Sequence, residues 1–120
     1  MRNRFWVVVG AIGWGWLSAA AFAAGMTWTY AVQLSAAVNA DPARIELTWT
    51  TEPFPVRHYT VHRKAPGAAE WNEGVTLDHG ATGYLDEAVE LGKIYEYQVI
   101  RHAVAYTAYG YAAVGINAPL

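Results

Sequence analysis

The sequence predicts an all-β protein, an antiparallel immunoglobulin-like β-sandwich of about seven strands. Three observations lead to this prediction. Apolar side chains recur at every second residue along most of the chain, which is the period of a strand with one buried face. Clusters of turn-forming residues separate these stretches, about 8 to 14 residues apart. No stretch combines helical spacing of apolar residues with helix-capping residues at its ends.

The first half of the domain contains three predicted strands. Residues 32–38 alternate apolar with polar or small side chains, and the Asn39–Pro42 segment has the composition of a turn. Residues 44–50 form the clearest strand, with Ile45, Leu47 and Trp49 on the buried face. The EPFP segment at 52–55 ends that strand. The third strand buries Tyr59, Val61 and the stem of Arg63 and points His58, Thr60 and His62 outward.

The second half contains shorter strands and then two long ones. Residues 65–67 have the composition of a turn. Short strands are predicted at Trp71 and at Val75–Leu77, and the GYLD segment at 83–86 follows them. The segment GKIYEYQV at 92–99 begins a strand that extends to about Val104. The last predicted strand covers 109–116 and ends at the Asn117–Pro119 terminator.

Two tyrosines in GKIYEYQV share one side of the strand, where a plain core strand would use Val, Ile or Leu. A tyrosine at a corner of a sandwich buries its ring while its hydroxyl reaches a main-chain group a few residues upstream. We assign this role to Tyr95, and we expect the hydroxyl of Tyr97, further along the strand, to reach solvent.

These motifs, in this order, resemble the fibronectin type III family over about residues 30–117. The residues that carry the resemblance are Trp49 in IELTW, Tyr59 and Val61 in YTVHR, and Gly92, Tyr95, Tyr97 and Val99 in GKIYEYQV. The resemblance implies a seven-stranded sandwich with Trp49, Tyr59, Val61, Tyr95, Tyr97 and Val99 in its structural core, and it transfers no catalytic residue. Two features depart from the family pattern. No proline precedes Gly92, and Arg101 stands where a small inward residue is usual, so we expect this strand to end early or to bulge there.

The N-terminal residues 1–23 have the pattern of a cleaved signal peptide. Arg2 and Arg4 precede a short uncharged apolar run, and Ala21 and Ala23 give the small-residue spacing of a cleavage site, so the mature chain would begin at Ala24. An uncleaved membrane anchor is the alternative, because the apolar run nearly reaches the span of a bilayer of about 30 Å. We expect a flexible segment at 24–29, the folded domain at 30–117, and the start of a linker or the C-terminal end at 118–120.

The mature composition limits the partners of the protein. Six lysines and arginines face ten acidic residues, a net charge of −4, whereas a nucleic-acid partner requires a basic stripe. The chain has no cysteine and no Asn-x-Ser/Thr acceptor, which favours a bacterial periplasmic or extracellular protein held together by its core alone. Contact with a membrane is then only transient, through the signal peptide.

Candidate catalytic and metal-binding residues are few. His58 and His62 have the spacing of a zinc pair on a helix, but on a strand the same spacing separates them by about 13 Å. Asp78 with His79, and Asp86, have no serine or cysteine at a suitable position, and they read as turn and strand-end capping residues. We therefore predict no catalytic residue, no metal ligand and no cofactor.

Aromatic residues outside the predicted core are the candidate binding residues. Trp71, Tyr106, Tyr109 and Tyr111 form this group, with Trp28 as an outlying member; the alternative is that they complete the last strand or lie in a flexible segment. Tyrosine-rich surfaces bind proteins at low entropic cost, and flat aromatic side chains stack on sugar rings. The sequence thus predicts a non-catalytic exported module for protein–protein contact or spacing, the N-terminal part of a larger secreted protein. A carbohydrate-binding sandwich and an accessory domain of a secreted hydrolase are the alternatives.

Overall fold

The computed structural model describes residues 5–10 and 31–117, and it confirms an antiparallel β-sandwich. One sheet has five strands in the order β1-β8-β7-β4-β5, and the other has three in the order β2-β3-β6. The strands are β1 (Phe5–Gly10), β2 (Ser35–Ala40), β3 (Ala43–Thr48), β4 (Val56–Lys64), β5 (Val75–Leu77), β6 (Gly83–Asp86), β7 (Ile94–Ala103) and β8 (Thr107–Ile116). No helix occurs in the described ranges, and so none there is long and apolar enough to cross a membrane.

The seven strands β2 to β8 match the predicted strands, with small shifts at their ends. The first begins at Ser35 rather than Val32, although Val32 and Leu34 are buried, and the last begins at Thr107 rather than Tyr109. The short strand predicted at Trp71 is wrong, because residues 71–74 have no strand pairing and β5 starts at Val75.

The core lies between the two sheets and is built from the predicted inward faces. Ile45 and Leu47 of β3, and Trp49 directly after it, are buried against side chains of the larger sheet. Trp49 packs on Tyr59, with ring centroids 5.4 Å apart, and its indole N–H donates to the carbonyl oxygen of Ala81 at 2.9 Å. The inward residues of β4 and β7, Tyr59, Val61, Tyr97 and Val99, complete this layer.

The corner before β7 has the geometry that the sequence predicts. Gly92 adopts a positive φ of 82°, which glycine reaches without a side-chain clash, and its N–H donates to the carbonyl oxygen of Ile116. Three residues later the hydroxyl of Tyr95 accepts a hydrogen bond from the main-chain N–H of Glu90 at 2.8 Å. Tyr95 therefore ties the loop before β7 to the strand itself.

The expectation for Tyr97 is wrong. Its side chain is fully buried, and its hydroxyl donates to Oδ2 of Asp86 at 2.8 Å instead of reaching solvent. Asp86 ends β6 in the smaller sheet, so a carboxylate from the opposite layer occupies the space where water was expected.

The expectation that Arg101 ends or distorts its strand is also wrong. β7 continues to Ala103 and keeps an unbroken register with β8, while Arg101 is only 1% exposed. Its guanidinium donates to the hydroxyl of Tyr59 at 3.1 Å and to the carbonyl oxygen of Thr50 at 2.9 Å, and it lies 5.6 Å from the centre of the Tyr59 ring. These polar partners let a charged side chain occupy an inward position. The only register shift along β4 and β7 lies between Val56 and His58 of β4.

The strand β1 lies within the predicted signal peptide. It pairs with β8 in antiparallel register from Phe5 opposite Ile116 to Gly10 opposite Tyr111. The rest of that predicted leader, the segment at 24–29 and the residues 118–120 lie outside the described residues, as does Trp28.

Candidate functional site

The outer face of the five-stranded sheet collects side chains from strands that are distant in sequence. The register sets His58 of β4 opposite His102 of β7, and Gln98 of β7 between His62 and Tyr111. Tyr109 lies two residues before Tyr111 on the same side of β8. These outward side chains are half-buried, so they form a surface of the sheet.

Trp71 joins this surface from the loop that follows β4. Its ring centroid lies 6.1 Å from that of Tyr111, and the planes are tilted by 41°. Nζ of Lys64 lies 5.1 Å from the Trp71 ring centre and forms an ion pair of 2.6 Å with Glu96. We call Trp71, Tyr109 and Tyr111 the aromatic face. The structure brings together three of the four predicted binding residues.

Tyr106, the fourth, lies in a different environment. It belongs to the turn between β7 and β8 and packs against the hydrophobic core, with its ring edge-on to Phe54 at 6.2 Å. Burial raises the pKa of its hydroxyl, and the neighbouring positive charge of Arg101 opposes that rise. Tyr106 therefore closes the end of the sandwich over Arg101 rather than extending the aromatic face.

A histidine pair on the same outer face was not predicted. The rings of His58 and His102 stack with centroids 4.4 Å apart, and Nε2 of His102 lies 3.0 Å from Oγ1 of Thr60. Burial lowers the pKa of His102, and the nearby charges of His58 and His62 lower it further. His62 is the nearest histidine to His58 along one strand, whereas the ring that stacks on His58 comes from the strand beside it. In the described part of the chain, no three histidine, cysteine or acidic side chains gather as metal ligands.

Asp86 is the centre of a polar network that joins the two sheets. Its Oδ2 accepts hydrogen bonds from Tyr97 and from Nη1 of Arg63, each at 2.8 Å, and Oδ1 accepts from the N–H of Ala88 at 3.0 Å. Arg63 also lies 4.9 Å from the centre of the Tyr95 ring. The predicted capping role of Asp86 is confirmed by its bond to Ala88, and its two side-chain partners add a connection between the layers. Asp78 has the predicted turn role, since its carboxylate accepts from the N–H of Gly80.

The sequence of the chain matches no protein-family model and no curated protein. Its fold is similar to several solved structures. Pectate lyase PelI from Erwinia chrysanthemi, in complex with tetragalacturonic acid, is 20% identical with a TM-score of 0.57 over 69% of this chain and 27% of that chain. A computationally redesigned β-sandwich protein is 12% identical with a TM-score of 0.56, over 74% of this chain and 92% of that one. An Fn3-like protein from Clostridium thermocellum is 23% identical with a TM-score of 0.50, over 72% and 88%.

These similarities concern the fold. The chain spans about a quarter of the length of the pectate lyase and nearly the whole of the two smaller proteins. At these sequence identities the similarity extends to the arrangement of strands and not to the residues of a functional site. The protein is a β-sandwich module whose structural neighbours include Fn3-like proteins.

Proposed function

We propose that the protein is an exported, non-catalytic β-sandwich module that contacts another protein through the aromatic face of its five-stranded sheet. In this proposal the module is the front part of a larger secreted protein. Residues 1–23 support export because they combine a basic start, an apolar run and a small-residue cleavage pattern. The similarity to a quarter of a pectate lyase chain supports a module carried within a longer polypeptide.

The observation that carries the proposal is the pairing of Trp71 with Tyr111 on the outer side of the sheet. Both rings are half-exposed, and Tyr111 is held in place by Gln98, whose side-chain amide donates to its hydroxyl at 3.1 Å. Aromatic side chains held in this way lose little conformational freedom when a partner covers them. Interfaces concentrate their binding energy in such tryptophan and tyrosine residues.

The regular sheet beneath the aromatic face supplies the rigid support that a contact surface needs. Tyr109 and Tyr111 lie on β8, which is paired with β7 along its whole length, and Ala108, Ala112 and Val114 anchor the same strand in the core. A partner that binds this surface would therefore meet side chains whose backbone is already fixed.

Site-specific photo-crosslinking in the native host tests this proposal. A photoreactive amino acid replaces Tyr109 in one strain and Thr48, an exposed outward residue of β3 in the opposite sheet, in a control strain. We expect a discrete protein adduct from position 109 that disappears when Trp71→Ala is added. Equal adducts from both positions, or none from position 109, would rule out the aromatic face as the contact surface.

Binding of an acidic polysaccharide is the second candidate function. The Trp71 ring offers a stacking surface for a sugar, and the Lys64 ammonium beside it offers a charge for a uronate carboxylate. The pectate lyase neighbour was crystallised with tetragalacturonic acid, although most of that chain lies outside the similarity. Affinity electrophoresis in polygalacturonate, with dextran as the neutral control, separates the two functions. Retardation by polygalacturonate that Trp71→Ala abolishes would favour the polysaccharide.

A further inference from the structure

The outer edge of β8 is covered in two sections by different parts of the chain. Near its start, the N–H of Val32 donates to the carbonyl oxygen of Tyr109, and a side chain at Gly110 would overlap the main-chain oxygen of Val32. From Tyr111 to Ile116 the same edge is paired with the strand Phe5–Gly10. Among residues 5–10 and 31–117, the second section is paired with a segment that lies inside the predicted leader.

The sequence of β8 lacks the residues that usually protect a sheet edge from a further strand. Thr107–Ile116 has no charged residue and no proline, and its second half is rich in small residues (Ala112, Ala113 and Gly115). Sheet edges are normally protected by lysine, proline, bulges or a covering segment, and here the pairing of β7 with β8 is regular throughout. In the described part of the chain, the strand Phe5–Gly10 is what protects the edge along Tyr111–Ile116.

The segment that covers the edge indicates which kind of strand fits there. Phe5–Gly10 has the sequence FWVVVG, which is uncharged, rich in β-branched residues and antiparallel to β8 over six register pairs. If a leader of residues 1–23 is removed, this strand leaves and the main-chain groups at Tyr111–Ile116 lose their partners. Unpaired groups along such an edge favour the addition of an external strand.

We propose that the edge of β8 from Tyr111 to Ile116 is a strand-acceptor site for an uncharged, valine-rich extended segment of another protein. Phe5–Gly10 occupies this site within the chain, and the partner strand takes the same antiparallel orientation after the leader has gone. This site is the main-chain edge of the sheet; it shares Tyr111 with the aromatic face, which uses the ring of that residue and not its main chain. The two proposals are therefore tested by different changes, Trp71→Ala for the rings and prolines in Phe5–Gly10 for the main-chain pairing.

The test uses the full chain with its own covering strand disabled by Trp6→Pro and Val8→Pro. The carbonyl oxygen of Tyr109 faces this edge of β8, where it accepts from Val32, so by alternation the main chains of Ala113 and Gly115 face it too. Their register partners are Val8 and Trp6, so proline at these two positions removes main-chain donors that face β8 and does not fit the paired strand. The probe is a fluorescent peptide of residues 2–10 extended by two lysines for solubility. We expect the peptide to bind the double-proline chain at least ten times more tightly than the unchanged chain, whose site is occupied. Hydrogen exchange at 111–116 should be faster in the variant and slow again when the peptide is added.

Two controls determine the outcome. A peptide that carries the same two prolines should not bind, and a Val7→Lys, Val9→Lys chain replaces the double-proline chain if that variant fails to fold. A folded variant that binds no peptide at millimolar concentration, with exchange at 111–116 unchanged, would overturn the proposal. Self-association that protects 111–116 without peptide would also overturn it, because a second copy would then be the occupant.

Discussion

Removing one hydroxyl group from Tyr97 or from Tyr95 should affect stability unequally, with the larger loss at Tyr97. Tyr97 is fully buried, and its hydroxyl donates to the Asp86 carboxylate, which is itself 6% exposed and is shared with Arg63. The hydroxyl of Tyr95 accepts from the N–H of Glu90 at an exposed position, where water can replace it. The two substitutions remove the same atom from neighbouring inward positions of one strand.

The magnitudes follow from these two surroundings. A hydrogen bond to a charged group contributes about 1.5–3 kcal/mol, and Tyr97→Phe leaves a buried carboxylate with one donor fewer. A hydrogen bond to a neutral group contributes about 0.5–1.5 kcal/mol, and Tyr95→Phe exposes the lost partner to solvent. In a domain of this size each kcal/mol lowers the melting temperature by about 4–8 °C.

Urea unfolding of both variants, followed by tryptophan fluorescence, measures the difference. We expect the slope of the free energy against urea concentration to stay unchanged and the midpoint to fall further for Tyr97→Phe. A loss at Tyr95 equal to or larger than that at Tyr97 would refute the assignment of the buried bond to Asp86. Burial is the main cause of the raised pKa of Tyr97, and Asp86 adds to it, so the phenol should also stay protonated in the folded chain at pH 11. An ultraviolet titration checks that second expectation.

Three further perturbations test other parts of the fold. Trp49→Ala should lower the free energy of unfolding by about 3–5 kcal/mol in urea melts, and near-unchanged melting would contradict its place in the core. Gly110→Ala should lower the free energy of unfolding by about 1–3 kcal/mol because the added Cβ overlaps neighbouring backbone. The control Gly80→Ala, whose Cβ would meet only ordinary contact distances, should lower it by less. The pKa of His102 is lowered by burial and by His58, so the unfolded chain binds this proton more readily and stability should fall as pH drops below about 6.5. His102→Gln should flatten that part of the stability–pH curve, and an unchanged curve would show that another group titrates.

The features that the sequence predicted correctly depend on residues that are close together in the chain. Alternation along 44–50 placed Ile45, Leu47 and Trp49 on the inner face, because successive side chains of a strand point to opposite sides whatever the strand pairs with. The corner at Tyr95 was predictable for the same reason, since its partner is only five residues upstream.

The interpretation was wrong where the partner of a side chain comes from a distant part of the chain. The alternation put Tyr97 and Arg101 inward, but Asp86 reaches Tyr97 from the opposite sheet. Arg101 meets Tyr59 across the register with β4 in its own sheet, and Thr50 from the loop after β3. The spacing of residues along β7 does not reveal that a buried carboxylate lies beside the Tyr97 hydroxyl or that a hydroxyl lies beside the Arg101 guanidinium.

For the candidate surfaces, too, some features followed from the sequence and others only from the tertiary structure. Composition identified Trp71, Tyr109 and Tyr111 as excess aromatic residues, but only the tertiary structure decided that Trp71 meets Tyr111 and that Tyr106 packs at the end of the sandwich. His58 and His102 are 44 positions apart and meet because the antiparallel register of β4 and β7 sets them opposite each other. The sequence by itself determined which side of each strand faces the core, because that depends on the alternation of side chains within one strand. The partners of each side chain were decided by the register between strands and the packing between sheets, because both are set by contacts between distant parts of the chain.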